Sequence, residues 1–307
     1  MLRAHYLPVF VFLLATGGCK RSDPSDPPAS QKASESLTVQ RGAPGGICKS
    51  NKDCIQGSFC RYGVCEYPGP CTSAGVDDQG HPKVSVYAYN TQQRQTDGRH
   101  YERGKLARRE QSTWSADGRT EEWTQSLATD EGQTYSGKLS YRDDGWVEVS
   151  TDTDPKGKTR TTRWTMKSEC LVGDGVTTDA SNRVTARTVA SCKDGRPDKT
   201  LQYRQEEGDA AEKLLRTKSY VFENGRLAKM LYEYHSIEMP EFEITFLRDA
   251  DGAQVGQVHH SKREGQGPLT ERWDMSCWKV TPEGVTGGPS PLGPLDKVPT
   301  VAPRPTI

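Results

Sequence analysis

The cysteines are the residues whose type and spacing indicate chemistry most directly in this sequence. The chain has nine cysteines, and five of them lie between residues 48 and 71. Two thiolates that bind one zinc ion commonly have two residues between them, as in C-x2-C, and no pair here has that spacing. No histidine lies in the segment either. We therefore predict that residues 46–71 form a small cysteine-rich knot, in which disulfides replace a hydrophobic core.

The eight cysteines that follow Cys19 form an even set, which could give four disulfides. A hairpin that turns at residues 180–182 places Cys170 and Cys192 at equal distances from the turn, within disulfide reach. This pairing leaves Cys71 to bond Cys277. Interleaved pairing inside the knot is a hypothesis, because eight cysteines allow roughly a hundred pairings. The four expected disulfides are Cys48–Cys60, Cys54–Cys65, Cys170–Cys192 and Cys71–Cys277.

The spacing within the knot resembles a known family. The pattern C-x5-C-x5-C-x4-C has Asp53 before the second cysteine, and Gly57 and Gly63 in the following loops. It is similar to the cysteine-rich segment at the amino end of Dickkopf proteins, and to segments of secreted proteins and lipoproteins of myxobacteria. The resemblance covers residues 46–71 only. It implies a compact disulfide-linked module that acts as a spacer or contact surface, and no activity is transferred with it.

Cys19 ends a short apolar leader. Residues 1–5 are basic, Tyr6–Ala15 is apolar, and small residues precede the cysteine. A transmembrane helix needs about 20 apolar residues, so the leader is predicted to be a secretory signal. Small residues before a cysteine resemble a bacterial lipobox, which implies that Cys19 is acylated with chains such as palmitate. An aspartate after the acylated cysteine resembles a signal that retains a lipoprotein in the inner membrane. Lys20 and Arg21 follow Cys19 here, which favours the outer membrane. Ordinary signal cleavage is the alternative.

Two segments have compositions typical of disordered chain. Residues 20–45 are rich in Ser, Pro and charge, and we predict a disordered tether from the lipid to the knot. Residues 281–307 contain seven prolines, which exclude both helix and central strand. We predict a disordered Pro-rich tail, with docking onto a partner as a polyproline segment as the alternative.

The body, residues 72–280, alternates between strand-like runs and turn dipeptides. Polar and apolar residues alternate with period two in residues 83–89, 145–150 and 183–189, which is typical of half-buried strands. Asp-Gly and Asn-Gly dipeptides, such as Asn224-Gly225, accept the backbone angles of tight hairpin turns. Residues 209–215 are the one helical candidate, as a single turn or a strand entry. We predict a mainly β chain, in which the knot is followed by an antiparallel β-meander that forms an open sheet or a sandwich.

Two runs of the body resemble each other. Residues 162–170 (TRWTMKSEC) and 271–277 (ERWDMSC) both end a strand-like run at a cysteine. Two copies do not define a repeat architecture. They suggest an old duplication into two half-sheets.

Catalytic and metal-binding motifs are absent from the sequence. No nucleophile elbow, zinc-protease helix, P-loop or dinucleotide fingerprint occurs. Adjacent residues on a strand point to opposite faces, so His259-His260 is a poor metal site. Calcium at Asp77-Asp78 or Asp249–Asp251 remains an alternative. We expect no cofactor, no metal and no catalytic residues, and we expect none of the five histidines after the leader to lie in a cleft within hydrogen-bond reach of a hydroxyl or a carboxylate.

Composition narrows the function without naming it. The 41 basic and 41 acidic residues balance, so no long-range attraction for nucleic acid is expected. The tryptophans and tyrosines could line a sugar- or peptide-binding face, or pack in the core. We expect an exported, lipid-anchored envelope protein that presents a non-catalytic β domain for protein or glycan binding or for envelope assembly. The alternatives are a periplasmic carrier of an apolar ligand and a hydrolase with an unrecognised site.

Overall fold

The structure is a computed structural model, and it is almost entirely β. It describes residues 42–49, 51–76, 79–128, 133–143, 145–167, 170, 172–205, 211–235, 240–262, 267–288 and 292. The predicted signal peptide with Cys19, most of the predicted tether and most of the predicted tail lie outside these residues. Within them, no helix has both the length and the apolar character that a membrane span requires.

The chain begins with the cysteine-rich knot. A 3-10 turn at Asn51–Asp53 precedes two short strands, β1 (Phe59–Arg61) and β2 (Val64–Glu66). Tyr62 and Gly63 join these strands with positive φ angles of 48° and 84°. Such angles at both central residues give the turn a twist that matches the twist of paired strands. Two disulfides cross the knot, Cys48–Cys60 and Cys54–Cys65.

Sixteen strands follow, each antiparallel to the next along the chain. They are β3 (Thr72–Val76), β4 (Pro82–Tyr89), β5 (Gln95–Glu102), β6 (Lys105–Trp114), β7 (Thr120–Leu127), β8 (Thr134–Tyr141), β9 (Val147–Thr153), β10 (Thr159–Lys167), β11 (Val172–Asp179), β12 (Val184–Lys193), β13 (Arg196–Arg204), β14 (Lys213–Glu223), β15 (Arg226–Tyr234), β16 (Phe242–Arg248), β17 (Gln254–Ser261) and β18 (Leu269–Asp274). Asn224 and Gly225 form the predicted tight turn, with φ angles of 49° and 81°. Residues 213–215, within the helical candidate, are strand.

The sheet closes into a barrel, so the prediction of an open sheet or a sandwich is wrong. The last barrel strand pairs with the first, with Glu271 opposite Gly75 and Trp273 opposite Ser73. Twist accumulates from strand to strand, and a ring removes the two unpaired edges that an open sheet of this length would expose. A closed sixteen-stranded antiparallel barrel is the result.

The chain ends in a small hairpin beyond the barrel. Strand β19 (Trp278–Thr281) pairs with β20 (Gly284–Gly287), so the predicted disordered tail starts too early. The reason is local, because Pro282 lies in the turn between the two strands and breaks no ladder. At the other end, residues 42–45 are buried although we predicted them as tether. The Gly45 carbonyl accepts a hydrogen bond from Arg226, which holds that segment against the barrel.

The other two disulfides join parts of the barrel. Cys71, just before β3, bonds Cys277, just after β18, and so fastens the strands at which the ring closes. Cys170, after β10, bonds Cys192 on β12. The Cα atoms of the two pairs lie 5.9 and 5.6 Å apart. The four disulfides of the structure have the same pairing as the four expected from the sequence.

Candidate functional site

The knot lies across one end of the barrel. The ring of Tyr62, in the knot, lies 5.8 Å from that of Tyr220 on β14. The knot's Phe59 lies 5.4 Å below the guanidinium of Arg94, at the start of β5. Strands β14 and β5 are seven steps apart in a ring of sixteen, so they are almost opposite each other. A body on the convex outside could touch only a few adjacent strands, so the face that the knot touches is the inner face of the barrel.

A buried ion pair fastens the knot to the barrel where β16 ends and β17 begins. Nη1 of Arg248 lies 2.8 Å from Oε1 of Glu66, and the Gln254 amide donates to the other carboxylate oxygen at 2.8 Å. The side chains of Glu66 and Arg248 are 6% and 16% exposed. Burial raises the pKa of Glu66, although Arg248 and the Gln254 amide act to lower it. This contact fixes the knot on the barrel, and we call the knot in this position the cap.

Aromatic side chains cover the inner face near the knot. In register, Lys218 on β14 lies opposite Tyr232 on β15, which lies opposite Phe242 on β16. The rings of Tyr232 and Phe242 stack with centroids 4.3 Å apart and planes 10° apart. Tyr234 stacks on the same phenylalanine at 6.1 Å. With Tyr62 and Tyr220, these rings form a wall that we call the aromatic wall.

Two cations lie against the aromatic wall. Nζ of Lys218 is 4.7 Å from the Tyr220 ring centroid and 5.8 Å from that of Tyr232. The guanidinium of Arg216, two residues earlier on β14, is 5.6 Å from the Tyr232 centroid. Burial acts to lower the pKa of Lys218, but the oxygens of the three facing tyrosines raise it above its ordinary value.

A second polar cluster on the inner face corrects one expectation from the sequence. Ser85 Oγ lies 2.8 Å from Nδ1 of His100, on the next strand. His100 Nε2 is 3.7 Å from Glu110 and 3.1 Å from the guanidinium of Arg108. A histidine thus lies within hydrogen-bond reach of a hydroxyl and close to a carboxylate, so the part of the expectation that excluded such contacts is wrong. Ser85 and His100 lie opposite each other in the register of the neighbouring strands β4 and β5, and the sequence did not reveal this register.

The cluster is a connected set of polar side chains. Nδ1 of His100 faces the Ser85 hydroxyl, and Nε2 faces both the guanidinium of Arg108 and the carboxylate of Glu110. Burial acts to raise the pKa of Glu110, but its hydrogen bond with His100 and the charge of Arg108 lower it below its ordinary value.

A second histidine also contacts a hydroxyl. Nε2 of His235, just after β15, lies 2.8 Å from Oγ1 of Thr217. No carboxylate joins this pair in the described part of the chain. On β17, His259 and His260 point to opposite faces, as the alternation of a strand requires. Burial lowers the pKa of His259.

The outer face is polar and charged. Lys138 and Glu122 form an ion pair of 2.9 Å with side chains 54% and 65% exposed, and Lys229 pairs with Glu243 at 2.9 Å. A groove of about 530 Å³ crosses this face, and the Lys138–Glu122 pair lies in it among threonine and serine side chains. A barrel that crosses a bilayer has an apolar outer band about 25 Å tall. The mid-strand charges interrupt any such band here.

Potential metal ligands come together at one place among the described residues. The one group of three potential ligands is Cys48, Cys54 and Cys65, and their sulfurs are already in disulfides. The Asp249 carboxylate accepts from the amides of Asp251 and Ala253, so it is engaged in a turn. The calcium candidate at residues 77–78 lies outside the described residues, as does Cys19.

Comparison with known proteins identifies no family for this chain. No protein-family model matches the chain, and no curated protein matches it. A porin-like protein from Bacteroides uniformis is similar over 66% of this chain and 93% of its own, with 12% identity and a TM-score of 0.38. The Photorhabdus luminescens Tc holotoxin pore matches 70% of this chain with 10% identity and a TM-score of 0.26. A TcdB2-TccC3-TEV structure matches 72% with 10% identity and a TM-score of 0.25.

The two toxin chains are far longer than the matched region. This chain spans 16% of the length of each. Similarities of this size transfer no activity, ligand or partner.

Proposed function

We propose that this chain is an exported envelope protein, anchored by a lipid on Cys19, whose barrel stands beside the membrane and binds a ligand on its inner face. The leader and the lipobox-like residues support the anchor. The disulfides support an oxidising compartment outside the cytoplasm. No catalytic step is part of the proposal.

The outer face is the observation on which the proposal rests. Placing Lys or Arg at the lipid-facing midplane of a barrel costs roughly 2–4 kcal/mol for each residue. Lys138 and Lys229 lie near the middle of their strands, and both are paired with glutamates on the same face. Burying such pairs in lipid would be costly. Water is the medium that suits this surface.

The inner face supports binding in preference to transport of an apolar ligand. Its described residues include Lys218, Arg216 and His100 together with tyrosine hydroxyls. An apolar carrier would need an aliphatic lining, because each unpaired polar group next to an apolar ligand costs free energy. The cap closes one end, so a ligand enters from the end that the knot leaves uncovered.

Fractionation of a Cys19→Ser variant tests the proposal. The full chain is expressed with its own leader in a bacterium that processes lipoproteins, and membranes are separated without detergent. The parent protein should sediment with the membranes, and the variant should appear in the soluble periplasmic fraction, because the acyl chains supply the bilayer affinity. A variant that stays in the membrane and needs detergent for release would indicate a barrel that spans the bilayer, and it would contradict the proposal.

A further inference from the structure

We infer that Lys218 and Arg216 form a binding site for an oxyanion, a carboxylate or phosphate group of the ligand, on the inner face of β14. The inference deepens the proposed function and rests on it, because it names the ligand class of the same inner face. Both residues point to the face that the knot covers at one end.

The first support is the lack of a counter-charge. Within the described residues, Lys218 and Arg216 contact aromatic rings and form no ion pair with a carboxylate. Other cations of the inner face have acidic neighbours: Arg248 pairs with Glu66 at 2.8 Å, and Arg108 lies 3.3 Å from Glu110. A cation removed from bulk water is costly unless an anion or several acceptors compensate it. A bound oxyanion would supply that compensation.

The second support is the set of neutral donors around the two cations. Burial raises the pKa of Tyr62 and of Tyr232, so their hydroxyl groups keep their protons at neutral pH. A protonated phenol donates to an anion and does not repel it. The Tyr220 hydroxyl lies 3.2 Å from Oγ1 of Thr200, which holds its ring beside Lys218.

The geometry suits an oxyanion in preference to a neutral ligand. A guanidinium offers a planar fork of donors that matches the two oxygens of a carboxylate or phosphate, and an ammonium adds a point charge. Arg216 and Lys218 are two residues apart on one strand, so both project to the same face. The ring of Tyr232, opposite Lys218 in register, lies within cation–π distance of both cations.

Calorimetric titration of the full-length Cys19→Ser protein tests the site. The probes are inorganic phosphate, galacturonate as a sugar carboxylate, and glucose as a neutral sugar. We expect phosphate or galacturonate to bind and glucose not to bind, and the tighter of the two anions identifies the source of the oxyanion. Lys218→Met should weaken that binding by about tenfold or more, because a charged hydrogen bond is lost.

The controls separate this site from general charge effects and from the proposed location. Lys199→Met removes an exposed lysine from the outer face of β13 and should leave the affinity unchanged. Arg216→Gln should weaken binding as Lys218→Met does. It tests the same site if the Lys218→Met protein does not fold. Absence of binding by both anions, equal binding of glucose, or unchanged affinity in the folded inner-face variants would overturn the inference. If the Cys19→Ser protein requires detergent for its release from membranes, the proposed location beside the membrane is wrong. The same titration, carried out in detergent, then still shows whether the inner face binds an oxyanion.

Discussion

Replacing Glu66 with alanine would test whether the knot is a fixed cap on the barrel. Its carboxylate accepts from Arg248 and from the Gln254 amide, each at 2.8 Å, in a site where the two side chains are 6% and 16% exposed. Removing one partner of a buried ion pair typically costs about 3–5 kcal/mol, because the other charge stays buried. Since the carboxylate joins the knot to the barrel, we expect this loss to appear as release of the cap.

Hydrogen exchange at the Val285 amide measures the release at a remote point. This amide donates to the Gln56 carbonyl of the knot at 2.7 Å, so it exchanges when the cap leaves. A loss of about 3 kcal/mol should speed its exchange roughly a hundredfold. The control is Glu122→Ala, which removes one partner of the exposed Lys138–Glu122 ion pair on the outer face. This variant should change the exchange rate of the Val285 amide by less than a factor of about five. Unchanged exchange at Val285 in the folded Glu66→Ala protein would refute the reasoning, because the knot would then be held by other contacts.

Three further predictions follow from the barrel. Replacing Cys71 and Cys277 with serine should lower the free energy of unfolding by about 5 kcal/mol in chemical denaturation, because this disulfide closes a loop of 206 residues. Replacing Cys170 and Cys192 should cause a smaller loss, because that disulfide spans 22 residues. Gly137→Ala should cost about 1–3 kcal/mol in the same assay, since its Cβ would lie 2.6 Å from a neighbouring indole ring, and an unchanged midpoint would contradict this packing. Burial raises the pKa of Tyr87 from 10.0 to about 12, so its contribution to stability is complete below pH 10 and is lost as the pH rises towards 12. Tyr87→Phe should therefore flatten the alkaline loss of stability in that range.

The sequence predicts the strands better than it predicts their closure. Alternation in residues 83–89 and 183–189 corresponds to β4 and to the start of β12, because period two is a local property that a short window reveals. Closure depends on β18 pairing with β3, and these strands are separated by nearly two hundred residues. No local pattern distinguishes an open meander from a ring, since the same hairpins build both.

The aromatic wall was visible in the sequence only as a set of tyrosines. From the sequence, Tyr220, Tyr232 and Tyr234 could have packed in a core or lined a binding face, and their relation to Lys218 depends on cross-strand register. One signal was present: Lys218 and Tyr220, and likewise Tyr232 and Tyr234, are two residues apart, which places each pair on one face of a strand. The bulge between Val221 and Phe222 shifts the register of β14 near its end, and no sequence pattern indicated it.

The ring also bears on the similarity between the two tryptophan-containing runs. Trp164 lies on β10 and Trp273 on β18, and these strands are eight steps apart in a ring of sixteen. Each is therefore the last strand of one half, β3–β10 or β11–β18, and each is followed by a disulfide-bonded cysteine, Cys170 or Cys277. Chance similarity between two strands has no reason to fall at half the circumference. Duplication of an eight-stranded meander places the copies at this spacing, and joining the two halves would pair their four free edges and close the ring.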